Sequence, residues 1–160
     1  MTVKQRVSTC LWFDDNGEEA ANFYVSLFPN SRIVSVTRYG EGGMMRNGLA
    51  MLTRFELGGV EFAALNGGPH FRLTEAASLV ALCDTQTEID RLWSALLMDG
   101  GVESRCGWLR DRFGLSWQVI PAMMSDVMGA GDPDRAARVM AAIMTMVKID
   151  LAAIEKAANQ

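Results

Sequence analysis

The sequence is poor in the residue types that carry most metal, nucleophilic and disulfide chemistry. It has one histidine and three cysteines in 160 residues. Cys10, Cys83 and Cys106 are odd in number and widely spaced, which fits neither a zinc knuckle nor a disulfide framework. We therefore expect three free cysteines that behave as small buried apolar residues in a reduced cytoplasmic compartment. Cys83, beside a predicted helix start, is the one whose position suggests a reactive thiolate.

Histidine-dependent catalysis has little support. The single histidine, His70, follows Gly67-Gly68-Pro69 in a predicted loop. It is either an acid–base group at the mouth of a cavity or a solvated loop residue, and we favour the second interpretation. A Ser-His-Asp triad would also need a strained Gly-x-Ser-x-Gly turn, which the sequence lacks. The catalytic residues, if there are any, stay unknown.

The sequence also lacks a basic run and a long apolar run. The net charge is −4, and the 15 lysines and arginines are scattered. A nucleic-acid groove needs a basic patch, and a membrane span needs roughly 20 apolar residues. No charged-then-apolar leader precedes the first predicted strand. We expect a cytoplasmic protein with neither a nucleic-acid nor a membrane partner.

Nucleotide-binding loops are missing as well. The glycine-rich stretch at 40–43 has neither the spacing of a dinucleotide-binding turn nor the Lys-Ser/Thr of a phosphate-binding loop. No similar turn is present for a methionine-derived methyl donor. The sequence therefore gives poor support to methyl transfer.

Two stretches half a chain apart share a pattern, in which a glycine turn precedes an alternating strand that is rich in apolar residues. One lies at 111–121 and the other at 57–65. Around them each half reads β-α-β-β-β. The first half has strands at 7–13, 32–39, 49–56 and 60–65 and a helix from about 18. The second has strands at 78–83, 102–106, 108–110 and up to 121, and a helix from about 86, capped by Asp84-Thr85. Matching order predicts a duplicated module.

A helical segment follows Pro121. We predict a short helix at 122–128 and another that starts at Asp132-Pro133, with Asp as N-cap and Pro in the first turn. The apolar residues on one face of that helix are Met140, Met144, Val147, Leu151 and Ile154. Such a face is either an adaptable binding surface or, as we favour, a packed core or dimer face.

Several motifs resemble the PhnB-like branch of the vicinal-oxygen-chelate superfamily, which includes glyoxalase I, bleomycin-resistance proteins and extradiol dioxygenases. The matching stretches are Leu11-Trp12-Phe13-Asp14, Glu18-Glu19-Ala20, Phe23-Tyr24, Asn66-Gly67-Gly68-Pro69-His70-Phe71, Cys83-Asp84, Glu88-Ile89-Asp90, Leu92-Trp93, Gly100-Gly101, Cys106-Gly107-Trp108-Leu109, Asp111-Arg112-Phe113-Gly114 and Ser116-Trp117-Gln118-Val119-Ile120-Pro121. Similar sequences are often labelled demethylubiquinone methyltransferase-like, which is not itself an activity.

The resemblance implies an α+β fold of two tandem βαβββ modules with C-terminal helices, whose curved sheets enclose a small-molecule cavity in a homodimer. We expect a single domain over 1–160. Its parts are module one at about 7–66, module two at about 76–121 and a helical extension at about 122–158.

The resemblance also implies where a divalent metal would bind. Carried onto this sequence, the four ligand positions fall on Thr9, Ala63, Ser78 and Gln118. Only Gln118 is of a ligand type found in the superfamily, and hydroxyls with one amide do not offset the desolvation of a divalent ion. Shifting the assumed strand register by one residue places no better set of metal ligands at these positions. We therefore predict no metal and no cofactor.

The same register predicts an apolar ligand-binding face with a few hydroxyl and amide groups, which suits an uncharged or aromatic ligand. Its residues are Thr9, Leu11, Phe13, Ala63, Ser78, Val80, Trp108 and Gln118, with Ile120 beside them. In this register Trp12 and Trp117 point toward the helices.

Three functions stay open. The first is a metal-free small-molecule binding protein on a vicinal-oxygen-chelate scaffold. The second is a lyase, isomerase or transferase with a noncanonical site, and the third is a chain whose methionine-rich face serves assembly.

Overall fold

Both halves of the chain contain the strand–helix–three-strand order that the sequence predicts. The computed structural model describes residues 7–129 and 131–160. The chain divides into two compact units, Met1–Leu73 and Thr74–Gln160, each with a four-stranded mixed sheet. The predicted α+β fold of two βαβββ modules with C-terminal helices is therefore confirmed. Whether the two units act as a single domain stays a prediction.

The elements of the first unit are β1 (Thr9–Phe13), α1 (Gly17–Leu27), β2 (Arg32–Arg38), β3 (Ala50–Leu57) and β4 (Val60–Asn66). The strand order in its sheet is β1-β4-β3-β2. Strands β1 and β4 run parallel, and the other neighbouring strands run antiparallel.

One face of this sheet is buried under α1. Ala20, Tyr24 and Leu27 recur at three- and four-residue spacing on the helix and are all buried. The ring of Tyr24 lies 6.4 Å from that of Phe55, which stacks on Phe62 at 5.5 Å. Aromatic pairs at such distances contribute packing beyond their buried area, so this face is the core of the unit.

The second unit repeats the topology with the strand order β5-β8-β7-β6. Its elements are β5 (Ser78–Cys83), α2 (Gln86–Leu97), β6 (Val102–Glu103), β7 (Trp108–Arg110) and β8 (Ser116–Pro121). Ile89, Leu92, Trp93 and Leu96 form the buried face of α2, as their spacing predicts.

The predicted start of α2 is confirmed in detail. The side chain of Thr85 accepts a hydrogen bond from the Glu88 amide, and a Glu88 carboxylate oxygen accepts one from the Asp84 amide at 2.7 Å. These bonds satisfy amide groups that the first turn of a helix leaves without partners.

Three helices follow β8: α3 (Met124–Gly129), α4 (Pro133–Ile143) and α5 (Leu151–Ala158). Asp132 caps α4 as predicted and accepts a bond from the Arg135 amide at 2.9 Å.

The prediction of one continuous apolar face from Met140 to Ile154 is wrong. Helix α4 ends at Ile143, and the chain between the helices pairs with another segment. The amides of Cys106 and Gly107 donate to the carbonyls of Met146 and Val147, at 2.9 and 2.8 Å. A new N-cap at Asp150 then starts α5. The helix therefore ends where backbone hydrogen bonds to the 106–107 segment replace helical ones.

Candidate functional site

The open face of the second sheet, which α2 does not cover, carries the polar residues of the candidate site. Strands β5 and β8 are parallel, with Ser78 opposite Ser116, Val80 opposite Gln118 and Leu82 opposite Ile120. Because side chains alternate along a strand, these six share one face. The alternating set, which includes Trp117, Val119 and Ala81, is buried in the core.

Gln118 and Ser78 form the polar centre of this face. The Gln118 side-chain nitrogen donates to the Ser78 hydroxyl oxygen at 2.9 Å. Both residues are partly buried, so the bond satisfies groups that would otherwise lose water without compensation. Gln118 and Ser78 therefore lie on one face and bond to each other, as the register predicts, and their role in ligand binding stays a prediction.

Trp108 and Arg110 extend the open face onto β7. In the antiparallel pairing Trp108 lies opposite Gln118, and Arg110 lies opposite Ser116. Directly opposed residues bring their Cβ atoms within about 5 Å, so each pair is in contact range. Trp108 therefore lies beside Gln118 and on the same face as Arg110, and its role in lining a ligand cavity stays a prediction.

A pocket of about 190 Å³ lies along this part of the sheet. It is lined by Glu75, Val102, Glu103, Ser104, Trp108, Leu109, Arg110 and Ser116. Of these, only Trp108 was predicted as a site residue. The alternation that places Gln118 on the open face also places Ser116 there, so Ser116 could have been predicted as a site residue from the sequence. The short β6 and its neighbours carried no such signal.

A buried carboxylate fixes the turn between β7 and β8. Asp111 is 2% exposed. It accepts hydrogen bonds from the Phe113 amide at 2.8 Å, the Leu115 amide at 3.0 Å and the Trp117 indole nitrogen at 2.9 Å. Gly114, with a φ of +90°, takes the left-handed conformation that this turn needs. The turn therefore sets the register in which Arg110 and Ser116 oppose each other.

In the first unit the predicted face is wrong for β1. Leu11 and Phe13 are 5% and 3% exposed and lie in the core, and Thr9 shares their side of the strand. The register is shifted by one, because two large apolar residues at alternate positions pack under α1. Leu11, Phe13 and Thr9 therefore do not line the open face, and Thr9 lies on the opposite side of its sheet from Ala63.

Trp12 is also placed differently from the prediction. It lies on the same side of β1 as Cys10, beside Ala63 and Leu65, on the open face. Its indole nitrogen donates to the Gly68 carbonyl at 2.9 Å, and its ring meets the Phe71 ring edge-on at 4.9 Å. Trp117, in contrast, is buried as predicted.

The residues at the implied metal positions do not fit a divalent ion. Thr9 is exposed at the start of β1 and lies on the other side of the sheet from Ala63, Ala63 has no donor atom, and the Ser78 oxygen already accepts the Gln118 amide. Among residues 7–129 and 131–160, no group of three histidine, cysteine, aspartate or glutamate side chains is placed to hold a metal.

The three cysteines are free but not uniformly buried, which corrects the expectation for two of them. Cys10 is exposed and Cys106 is intermediate. Partial desolvation by the surrounding chain raises the pKa of the Cys10 thiol, although the residue is exposed. Cys83 is buried, and burial, together with the nearby Glu88 carboxylate, raises its pKa to about 11. At neutral pH Cys83 is therefore a protonated thiol, the opposite of what a thiolate nucleophile needs. His70 is exposed in its loop.

No described helix is long and apolar enough to cross a bilayer.

The sequence matches the model of the 3-demethylubiquinone-9 3-methyltransferase family over residues 5–120. The chain belongs to this family. It is a PhnB-like member of the vicinal-oxygen-chelate superfamily, as the motifs predicted. No curated protein matches the chain.

Solved structures agree with this assignment. The PhnB protein from Bacillus cereus is 37% identical, with a TM-score of 0.68, over 73% of this chain and 98% of that one. Protein PA1353 from Pseudomonas aeruginosa is 21% identical, with a TM-score of 0.61, over 74% and 98%. The fosfomycin resistance protein FosX from Mesorhizobium loti is 12% identical, with a TM-score of 0.55, over 80% and 99%. The last two likenesses show the fold alone. Family and fold together indicate a small-molecule-binding scaffold of the vicinal-oxygen-chelate type.

Proposed function

We propose that the chain binds a small molecule on the open face of β5, β8 and β7, without a metal. The observation that carries the proposal is the hydrogen bond between Gln118 and Ser78 on that face. A buried or half-buried amide in a β-strand is costly unless it is paired, so a paired amide on an open face is suited to orient a ligand.

The pair leaves defined groups for a ligand. The Gln118 nitrogen donates to the Ser78 oxygen, so the Gln118 carbonyl oxygen and the Ser78 hydroxyl hydrogen are free to point elsewhere. Val80, Ile120 and Trp108 surround the pair with apolar surface on the same face. A few fixed polar groups within apolar walls are the common form of a small-molecule site.

Binding without a metal follows from the residue types. The implied ligand positions offer one amide and two hydroxyls, with Thr9 on the wrong face of its sheet. Neutral donors of this kind compensate poorly for the water that a divalent ion gives up.

The second candidate is an enzyme, because the family description names a methyl transfer. A lyase or isomerase with a noncanonical site is the related possibility. Calorimetric titration with S-adenosylmethionine separates transfer from plain binding, since a methyltransferase must bind its donor.

A homodimer and a cytoplasmic location also belong to this proposal. The dimer is supported by the edge strand β5, where Leu82 is 58% exposed.

The test titrates wild type and a Gln118→Leu variant with benzamide and phenol, two uncharged aromatic probes, and with the aromatic acid benzoate. Binding to both proteins is followed by NMR at the Trp108 indole, which lies opposite position 118, and the Gln118 side-chain amide is followed in the wild type. We expect the wild-type amide signal to shift and the variant to bind at least several-fold more weakly. The loss of one hydrogen bond should lower the free energy of unfolding by about 1 kcal/mol.

Gln86→Leu is the matched control. Gln86 bonds to Asp90, to the Ile149 carbonyl and to the Leu151 amide, so its loss should lower stability and leave binding unchanged. Equal binding by wild type and Gln118→Leu, or no binding of any of the three probes by the wild type, would contradict the proposal.

A further inference from the structure

We propose that the pocket beside Gln118 recognises the carboxylate of a small aromatic acid. In this assignment Arg110 and Ser116 bind the carboxylate, and Trp108 packs against the ring. The inference rests on the proposed small-molecule function and narrows its ligand class.

Arg110 is the cationic residue that lines the pocket. Within residues 7–129 and 131–160 it forms no ion pair or side-chain hydrogen bond, although it lines the pocket. Arg32, Arg38, Arg54 and Arg112 each pair with a carboxylate of their own unit. A guanidinium offers a planar fork of donors that fits a carboxylate, so Arg110 is the natural anchor for one.

Ser116 supplies a second donor to the same pocket. The residue lines the pocket, and none of the described residues hydrogen-bonds to its hydroxyl. Among the described residues the fully buried hydroxyl without a partner is that of Thr53, so the Ser116 hydroxyl keeps access to the open space of the pocket. Ser116 lies opposite Arg110 on the same face of the sheet, so both side chains start from neighbouring positions beside the pocket.

Trp108 adds an aromatic surface and a third free donor. The indole nitrogens of Trp12, Trp93 and Trp117 donate to the Gly68 carbonyl, to Glu103 and to Asp111. The Trp108 indole nitrogen has no such partner in the described parts of the chain. Three free donors beside an aromatic ring favour a ligand that is rich in acceptors and planar.

The size and charge of the pocket limit the ligand further. The pocket is small, about 190 Å³, which favours a ligand with a single ring over a larger one. Glu75 and Glu103 also line the pocket, and Glu103 already accepts the Trp93 indole. With one guanidinium against these two carboxylates, the lining weakens the binding of every anion and of a dianion most, so we favour a monocarboxylate over phosphate.

The test compares benzoate with benzamide and inorganic phosphate as NMR titrants of the full chain. Benzamide has nearly the shape of benzoate but no charge. We expect benzoate to bind roughly tenfold more tightly than benzamide, the gain of one well-formed charge-assisted contact, and phosphate to cause no shift at the Trp108 indole.

Variants locate the contact. Arg110→Gln and Ser116→Ala should weaken benzoate binding several-fold more than benzamide binding. Arg105→Gln, which removes an exposed arginine that does not line the pocket, should change neither. Equal affinity for benzoate and benzamide, or benzoate binding that survives Arg110→Gln, would overturn the carboxylate assignment.

These outcomes are distinct from a failure of the proposed function. If benzamide binds through Gln118 and benzoate has no advantage, the site stands and only the carboxylate assignment is lost. If phosphate shifts the Trp108 indole and benzoate does not, the pocket binds inorganic anions and the aromatic acid is wrong.

Discussion

The three cysteine side chains lie in different environments, and their chemistry differs accordingly. Cys83 is 1% exposed behind the N-terminus of α2, and its raised pKa of about 11 reflects burial first and the Glu88 carboxylate second. Cys10 is exposed on the open face of β1. The Cys106 sulfur lies 3.7 Å from that of Met144. Position in the fold, and not residue type, therefore decides which thiol is accessible.

The Cys83 thiol should make stability fall in alkaline solution. Its folded-state pKa of about 11 is above the ordinary value of 9.0, so the folded state holds the proton more tightly than the unfolded state. This contribution to stability is complete below pH 9.0 and is lost as the pH rises towards about 11.

Chemical denaturation across that pH window measures the effect, with Cys83→Ala as the reference that removes this titration and keeps the others. We expect the free energy of unfolding of the wild type to fall more steeply with pH than that of Cys83→Ala. Parallel pH profiles would contradict this account.

At the scale of elements, the turn from Asp111 to Gly114 holds the second sheet in register. One carboxylate there accepts two backbone amides and the Trp117 indole nitrogen. Hydrogen bonds to a charged acceptor are stronger than those between neutral groups, so this turn links β7, β8 and the core.

Replacing Asp111 by Ala leaves three donors without their acceptor in a buried site. We expect the free energy of unfolding to fall by roughly 3 kcal/mol, the cost of leaving buried donors unsatisfied. The measurement is urea unfolding followed by tryptophan fluorescence. Asp126→Ala, at an exposed aspartate in α3, should change stability by less than about 0.5 kcal/mol. Similar losses in both variants would rule out the special role of Asp111.

The strand faces show what the sequence could and could not determine. For β8, the alternation of Trp117 and Val119 with Gln118 identified the buried face correctly, because the helix-side residues are the larger apolar ones. For β1, Leu11, Trp12 and Phe13 are all large and apolar, so alternation gave no unique answer. Contact with α1 buries Leu11 and Phe13, and Trp12 packs against the 67–71 loop. Both are tertiary contacts that the sequence of a single strand does not encode.

The C-terminal helices show a second limit of the sequence. Met140, Met144, Val147, Leu151 and Ile154 keep a helical period, yet the chain leaves the helix after Ile143. The backbone bonds from Cys106 and Gly107 to residues 146 and 147 outweigh local propensity there. Pairing between segments 40 residues apart leaves no trace in a periodicity pattern.

At the scale of the whole molecule, the duplication was readable from the sequence, but the difference between its two copies was not. Ala63 and Gln118 occupy equivalent places after their glycine turns, on the open faces of β4 and β8. The first copy places an ion pair of Arg54 and Glu61 on its open face, whereas the second places Gln118 and Ser78 there. The candidate site therefore belongs to the second copy.

We predict that the chain forms a homodimer. Leu82, on β5, is 58% exposed, and an edge strand with exposed apolar side chains is prone to pair with another chain. Light scattering over a wide range of concentration measures the mass. Leu82→Arg should shift the mass towards that of a monomer, whereas Met144→Arg, on the exposed methionine residue after α4, should not. A wild-type mass of one chain at every concentration would contradict the prediction.

The central claim, that the second sheet binds a small molecule without a metal, is tested most directly by a titration of metal-stripped protein. The protein is treated with chelator, its metal content is measured by mass spectrometry, and benzoate and benzamide are titrated before and after treatment. The account predicts no stoichiometric metal in the purified protein and unchanged probe affinity after stripping. A metal ion bound near one per chain and lost in Gln118→Ala, or probe binding that disappears with the metal, would contradict it.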